Sequence, residues 1–415
     1  MNPAGGERRD ASGTLLGVAA VMGLAELGFA TVIPLLPLYL KEQLGASAVL
    51  VGVVVAAFAA VETVCKTAWG SLADRIGRRP VVVGGLLLAS VAPVLMSLLR
   101  VPLLFVPLRL VDGTGSAALW PSTAAAIADR TDRSRRASAM GTLNTFFLSG
   151  LALGPSLGLF VSGAFGDYRA GFYLASALLL AAAAVAARVL RDFDSRPPAN
   201  ARDGRGAAGR REGRFGTLVR SMLTSPRLAT MLAIAFVQMF GVGLLAPILV
   251  IYAHEVVRLS DQMIGLVFLG MVLAVAAASL PGGRLADRVG RARTVVWGMV
   301  MASVGMWLLP AAGRGNLVVL SVAAVLLGAS YALSSPAWLA LMSEAAPATG
   351  TATVMGASET AQGAGLIVGP VLGGFLYDRL GPQAPFLASA ALLTFGTALA
   401  IRVVGRGAAN TGFRG

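Results

Sequence analysis

Gly70-Ser71-Leu72-Ala73-Asp74-Arg75-Ile76-Gly77-Arg78-Arg79 returns later in the chain as Gly283-Arg284-Leu285-Ala286-Asp287-Arg288-Val289-Gly290-Arg291, displaced by 213 positions (283 minus 70). Each copy is a charged hairpin set between long apolar runs. Working outward, Gly28, Pro34 and Tyr39 return with the same displacement as Gly241, Pro247 and Tyr252. With a displacement of 215 (328 minus 113), Gly113, Pro121 and Asp129 return as Gly328, Pro336 and Glu344. Gly154, Pro155 and Gly158 return as Gly369, Pro370 and Gly373 in the same way. A repeat of this kind over half the length predicts two parallel copies of one helical unit, related by an axis along a membrane normal.

The composition says why the solvent is lipid. Of 415 residues, 56% are hydrophobic and 13% charged, and the mean hydropathy is +0.76. A soluble chain of this length would expose too much apolar surface. Spans of about 20 apolar residues are expected near 14–40, 47–70, 80–99, 102–127, 138–163 and 170–190, then 228–253, 262–283, 294–311, 316–342, 350–377 and 384–402. The expected architecture is an all-α polytopic membrane protein with twelve transmembrane helices in two six-helix pseudo-symmetric halves, 1–190 and 228–415. The abundant glycine and proline do not oppose helix here, because lipid offers the backbone no other hydrogen-bond partner. The first apolar stretch, with Pro34 and Pro37 and no small-residue cleavage site, reads as an uncleaved span and not as a signal peptide.

Net charge is +14, which in a soluble chain would suggest nucleic acid. Its distribution excludes that reading. If both termini are cytoplasmic, 26 of the 34 Lys and Arg fall on the cytoplasmic side and six on the other, while Lys66 and Arg109 lie within spans. The excess predicts cytoplasmic termini and contact with anionic lipid, while the compact loops and the Ala/Arg/Gly bias point to a bacterial inner membrane. Residues 191–227 read as a basic cytoplasmic linker. Phe215, Leu218, Val219, Met222 and Leu223 fall at helical spacing near its end, as for a short amphipathic helix on the membrane surface; a calmodulin-like or other partner site is the rarer use of such a pattern. Cys65 is the only cysteine, so no intrachain disulfide can form; in an apolar run it reads as a small buried hydrophobe. His254, the only histidine, reads as an interfacial residue. No metal cluster, nucleotide loop or nucleophile–base set is apparent, so no cofactor is expected and enzymatic chemistry is excluded.

At this point the motifs carry a resemblance. The doubled hairpin is similar to the loop signature G-x-L-a-D-R-x-G-R-R of the major facilitator superfamily. Arg109, Gly113 and Gly115 resemble its fourth-span signature R-x-x-x-G-x-G, with Asp112 where glutamine is often found. Gly150 to Gly158 resemble the fifth-span signature G-x-x-x-G-P-x-x-G-G, with Leu159 in place of the last glycine. Ile33-Pro34-Leu35-Leu36-Pro37-Leu38-Tyr39 resembles the first-span signature of the twelve-span drug/proton antiporters. The resemblance covers essentially the whole chain and implies a secondary active transporter that exports lipophilic compounds against protons by alternating access. An uptake symporter for a small metabolite, a flippase for a lipid or glycolipid, and a non-transporting sensor are the competing readings.

The residues can be assigned roles on physical grounds. Charge inside lipid is costly and presumptively functional. Glu26 lies about twelve residues, or ~18 Å, into the first span, where a carboxyl can bind a cation or bind and release protons as its access to water changes; a static partner of Arg109 or Lys66 is the competing role. Arg109 and Asp112 share one helical face; Asp112 is either a fixed counter-ion or a second proton site, and the resemblance implies a coupling role for Arg109. Glu62 and Lys66, spaced i,i+4, read as a self-neutralising pair. Glu26, Phe29, Trp120, Asn144, Phe147, Phe240, Tyr331, Trp338 and Glu359 are the candidate substrate contacts, in spans that line the cavity in the resembling family. Gly70, Asp74, Arg75, Gly77 and Arg78, with Gly283, Asp287, Arg288, Gly290 and Arg291, form a candidate conformational latch, in which Asp74 caps a facing helix or pairs with Arg75 or Arg78. Gly150, Gly154, Pro155 and Gly158 permit a bent, closely packed helix. Expected partners are a small-molecule substrate, protons and membrane lipids, with the chain acting as a monomer.

Overall fold

The computed structural model describes residues 4–132, 135–191, 226–312, 316–345 and 351–410. Among these every regular element is helical. Fourteen α-helices run α1 (Ala4–Leu38), α2 (Ala48–Ile76), α3 (Arg78–Leu98), α4 (Phe105–Ala117), α5 (Leu119–Arg130), α6 (Arg136–Phe165), α7 (Tyr168–Val189), α8 (Pro226–Leu245), α9 (Ile248–Glu255), α10 (Asp261–Val289), α11 (Arg291–Leu308), α12 (Leu317–Ala345), α13 (Thr351–Leu380) and α14 (Ala384–Asn410). A π-helical turn over Tyr39–Gln43 prolongs α1. The expected amphipathic helix near 215–223 and nearly all of the expected linker lie outside the described residues.

Among the described residues, eleven helical segments are long and apolar enough to cross a membrane. They match the expected spans except the fourth. Residues 102–127 were expected as one span, but the helix breaks at Ala118, whose N–H bonds Gly115 only three residues back. The physical reason lies just beyond: Pro121 has no N–H to give to the carbonyl of Ala117, so the α4 ladder cannot continue through it. α4 and α5 together cover 105–130. On α3, Leu87, Val91, Leu95 and Leu98 expose their side chains at helical spacing, an outward stripe suited to acyl chains and not to water.

Contacts divide the chain into two units. Unit 1 holds residues 1–46, 53–199 and 260–266; unit 2 holds 47–52, 200–259 and 267–415. In unit 1, α1 packs on α6 and α7, and α3 on α7 and α4. In unit 2, α8 packs on α13 and α14, and α11 on α14 and α12.

Small residues make these contacts. A methyl on Gly150 would lie 2.3 Å from the Gly23 carbonyl oxygen, one on Gly154 2.5 Å from Ala30 Cβ, and one on Gly158 2.7 Å from the Thr31 carbonyl oxygen. Only glycine lets α6 lie that close to α1. Unit 2 repeats the arrangement. Gly365, Gly369 and Gly373 bring α13 against α8, with Gly373 leaving just 2.0 Å between an added methyl and the Leu244 carbonyl oxygen. Gly113 seats α4 on Phe58 of α2 in unit 1, and Gly328 seats α12 on Met271 of α10 in unit 2. Without a hydrophobic drive between helices in lipid, such close backbone packing is the main source of association.

Side-chain hydrogen bonds tie helix ends within each unit. Tyr168 donates to Glu42 at 2.9 Å in unit 1, and Tyr377 to Glu255 at 2.6 Å in unit 2. Also in unit 2, the Asp378 carboxylate accepts from the backbone N–H groups of Ala48 and Val49, capping the start of α2.

Candidate transport site

The ionisable residues of unit 1 gather in one place. The interiors of its spans carry five charged side chains, Glu26, Glu62, Lys66, Arg109 and Asp112. α1 holds Glu26 half-buried at its seam with α6, where a methyl on Gly150 would stand 3.0 Å from Glu26 Cβ. Phe29, three residues further along α1, is buried, and its ring centroid lies 6.3 Å from that of Phe58 on α2. The Phe58 ring in turn covers the Arg109 guanidinium, 4.1 Å from its centroid.

Arg109 is therefore held from two sides. Its Nη1 donates to Asp112 Oδ2, and its other face stacks on Phe58, an arrangement that a planar guanidinium favours. Both members of the pair are buried. The geometry shows Asp112 as the partner of Arg109. Yet the Arg109 Nε and Asp112 Oδ1 atoms have no hydrogen-bond partner, which leaves this buried pair only partly satisfied.

α2 supplies the other charges. Phe58, Glu62 and Lys66 follow each other at four-residue spacing and so share a face. Lys66 Nζ and Glu62 Oε1 are 3.2 Å apart, the expected pair, with side chains 44% and 28% exposed. Glu26 stands one turn before Phe29 and Glu62 one turn after Phe58, so the Phe29–Phe58 contact brings these two turns together, with Arg109 under the same Phe58 ring. Phe58 was missed in the sequence. The signal was its position one turn before Glu62, on the face that carries the charges.

The aromatic candidates of unit 1 also converge. Trp120 and Phe147 meet edge to face at 5.3 Å, and with Phe29 and Phe58 they belong to one apolar cluster. Asn144 is exposed on α6. In unit 2, Phe240 stacks on Phe236 at 5.5 Å, and Gly365 packs against the backbone of both. Tyr331 is exposed on α12 and Glu359 on α13. Trp338 differs from the other aromatic candidates, since it packs into two apolar clusters and its indole N–H has no hydrogen-bond partner.

Charge is distributed unequally between the repeats. The positions matching Glu26, Glu62, Lys66, Arg109 and Asp112 are Met239, Val275, Ser279, Ala324 and Leu327. Glu359 is the one charged residue in the span interiors of unit 2.

At the first hairpin, Arg78 bridges Asp74 at 2.5 Å and Asp129 of α5 at 3.5 Å, while Arg75 is exposed. The pairing with Arg78 is one of the two expected. Gly77 and Gly290 each take φ near +100° immediately before a helix, a conformation that favours glycine. Gly70 makes only ordinary contact with Pro121. Gly283 and Asp287 fall near the end of α10, their side chains outside the described ones; Arg288 is exposed there, and Arg291 opens α11. Pro155 sits inside an unbroken α6. Cys65, expected buried, is half-buried, on a stretch of α2 where its neighbour Val64 is exposed. His254 is half-buried at the end of α9.

With this geometry in place, comparison with known proteins is informative. A family model described as Major Facilitator Superfamily matches residues 18–237 and 231–413. "Multidrug resistance protein 2" of Bacillus subtilis (strain 168) is 28% identical over 381 residues, covering 91% of each chain. "Multi-drug resistance efflux pump PmrA" of Streptococcus pneumoniae serotype 4 is 26% identical, with 88% of this chain and 89% of that one covered. Among solved structures, the nucleoside transporter NupG (D323A mutant) superposes with a TM-score of 0.79 at 11% identity, covering 94% of this chain and 99% of that one. A POT family transporter in complex with 5-aminolevulinic acid gives 0.74 at 14% identity, over 94% and 95%. At such identities the structures speak for the fold alone. A multi-pass helical membrane protein with both hairpins of the doubled motif, matched by that family model along nearly all its length, this chain belongs to the Major Facilitator Superfamily.

Proposed function

We propose that the chain is a proton-coupled exporter of lipophilic small molecules, cationic ones above all, working by alternating access. What supports the reading is the gathering of three carboxyls and two bases inside the spans of unit 1, beside an aromatic cluster and away from the helix ends. A carboxyl at such a place exchanges a proton for a cation, because leaving its charge unbalanced in a low-dielectric interior is costly. Glu26 is the exchanging acid. Arg109, held by Asp112 and Phe58, is a fixed positive charge that favours proton release from nearby carboxyls when the site opens to water. Relatives named as multidrug resistance proteins and efflux pumps agree with export.

The remaining parts fit this cycle. α4 and α5 serve together as one broken span, so that twelve crossings form two six-helix halves, 1–190 and 228–415, joined by the cytoplasmic linker 191–227. Both termini are cytoplasmic, in a bacterial inner membrane, and one chain suffices. In unit 1 the compound contacts are Phe29, Trp120, Asn144 and Phe147; in unit 2 they are Phe240, Tyr331 and Trp338. Asp74 with Arg75 and Arg78, and Asp287 with Arg288 and Arg291, latch one state of the cycle, while the glycines and Pro155 of α6 shape the packed helix against which it closes.

The test is proton movement in sealed vesicles that contain the purified protein and an internal pH dye. Adding a lipophilic cation outside is expected to drive proton efflux from the lumen as the compound enters, and Glu26→Gln to abolish it. Co-directional proton movement would instead indicate a symporter, and lipid scrambling without proton flux a flippase.

A further inference from the structure

We infer that Lys66 sets the charge of the compound this protein carries, restricting it to monovalent cations. The inference rests on the cation-export reading above and deepens it.

The span interiors of unit 1 hold Glu26, Glu62 and Asp112 against Lys66 and Arg109, and no other charged side chain. Fully ionised, three acids and two bases leave a formal charge of −1. One proton or one monovalent cation makes the cluster neutral. A second positive charge would leave it at +1, and an uncompensated charge is penalised heavily away from water.

The two bases are not equivalent. Arg109 is buried under Phe58 and paired with Asp112. It cannot leave without stranding a buried carboxylate. Lys66 is more than two-fifths exposed and rests on Glu62 in an i,i+4 pair. Its flexible stem lets the ammonium move between carboxylates, and Glu26 lies one turn from the Phe29–Phe58 contact on the face of α2 that carries Lys66. Lys66 is thus a tethered cation that occupies one negative charge permanently. Removing it should leave a charge of −2 and open the site to dications. Removing Glu62 as well should return the count to −1.

The experiment compares two probes, tetraphenylphosphonium as monovalent cation and dequalinium as divalent one, by equilibrium binding to the purified protein. The parent is expected to prefer tetraphenylphosphonium. In Lys66→Gln the affinity ratio should move toward dequalinium by at least tenfold; Lys66→Arg should keep the parental ratio; the double variant Lys66→Gln with Glu62→Gln should restore it. Restoration by the double variant is the outcome that mere structural damage at position 66 would not produce. A ratio unmoved in Lys66→Gln, or a shift that Glu62→Gln fails to reverse, overturns the role of Lys66 and leaves cation export standing. Failure of the parent to bind either probe overturns the cation-export reading itself, and this inference with it.

Discussion

Arg109 and Asp112 show what one pair of residues demands of a membrane interior. Each is buried, each has a polar atom without a partner, and each is the other's main compensation. Breaking such a pair strands a charge and costs about 3–5 kcal/mol, whereas replacing both members by apolar groups of similar size can be near neutral. Arg109→Ala is therefore expected to lower the thermal unfolding temperature sharply, and the double variant Arg109→Met with Asp112→Leu to recover most of the loss. Neither should couple transport to protons. Full stability of the single variant would show that the pair is solvated. The sequence made this pair legible through its three-residue spacing. It did not reveal Phe58 over the guanidinium, because that contact depends on the depth at which α2 crosses α4, which no spacing within either helix encodes.

Among the helices, α6 carries the plainest test of packing. A methyl on Gly154 would collide with Ala30 Cβ and with the backbone of Leu27 and Thr31, whereas one on Gly141 of the same helix meets nothing within 4 Å. Gly154→Val is expected to abolish a folded, monodisperse protein in fluorescence-detected gel filtration. Gly141→Ala should leave the profile unchanged or slightly firmer, since alanine is the better helix former. Equal behaviour of the two would mean that α6 does not lie on α1 at this depth. These glycines were legible because they repeat at fixed displacement and four-residue spacing. The break at Ala118 was not, although Pro121 stood in plain view. Prolines are tolerated inside α1, α6 and α13, so the residue type alone did not distinguish a bend from an interruption.

For the molecule as a whole, the doubled hairpin and the distribution of arginine made the family and its repeat legible in the sequence. The inequality between the repeats was harder to see, because the counterparts of the charged residues are ordinary apolar residues such as Met239 and Leu327 that attract no notice in a hydrophobic span. The twelve-crossing topology yields to cysteine mapping, since replacing Cys65 by serine gives a cysteine-free parent. Gln43→Cys and Gln383→Cys are expected to react in intact cells with a membrane-impermeant maleimide, and Ser195→Cys only after permeabilisation. Labelling of Gln43 and Gln383 from opposite sides would indicate an odd number of crossings.

Proton-coupled export itself is most directly tested by accumulation. Vesicles containing the purified protein are given an imposed pH gradient, acidic inside, with the membrane potential clamped, and the uptake of tetraphenylphosphonium is followed. The compound is expected to concentrate inside until the gradient is dissipated by a protonophore, and Glu26→Gln vesicles should only equilibrate. Accumulation that persists in Glu26→Gln, or that is indifferent to the pH gradient, would contradict the exchange of a proton for a cation at this acid.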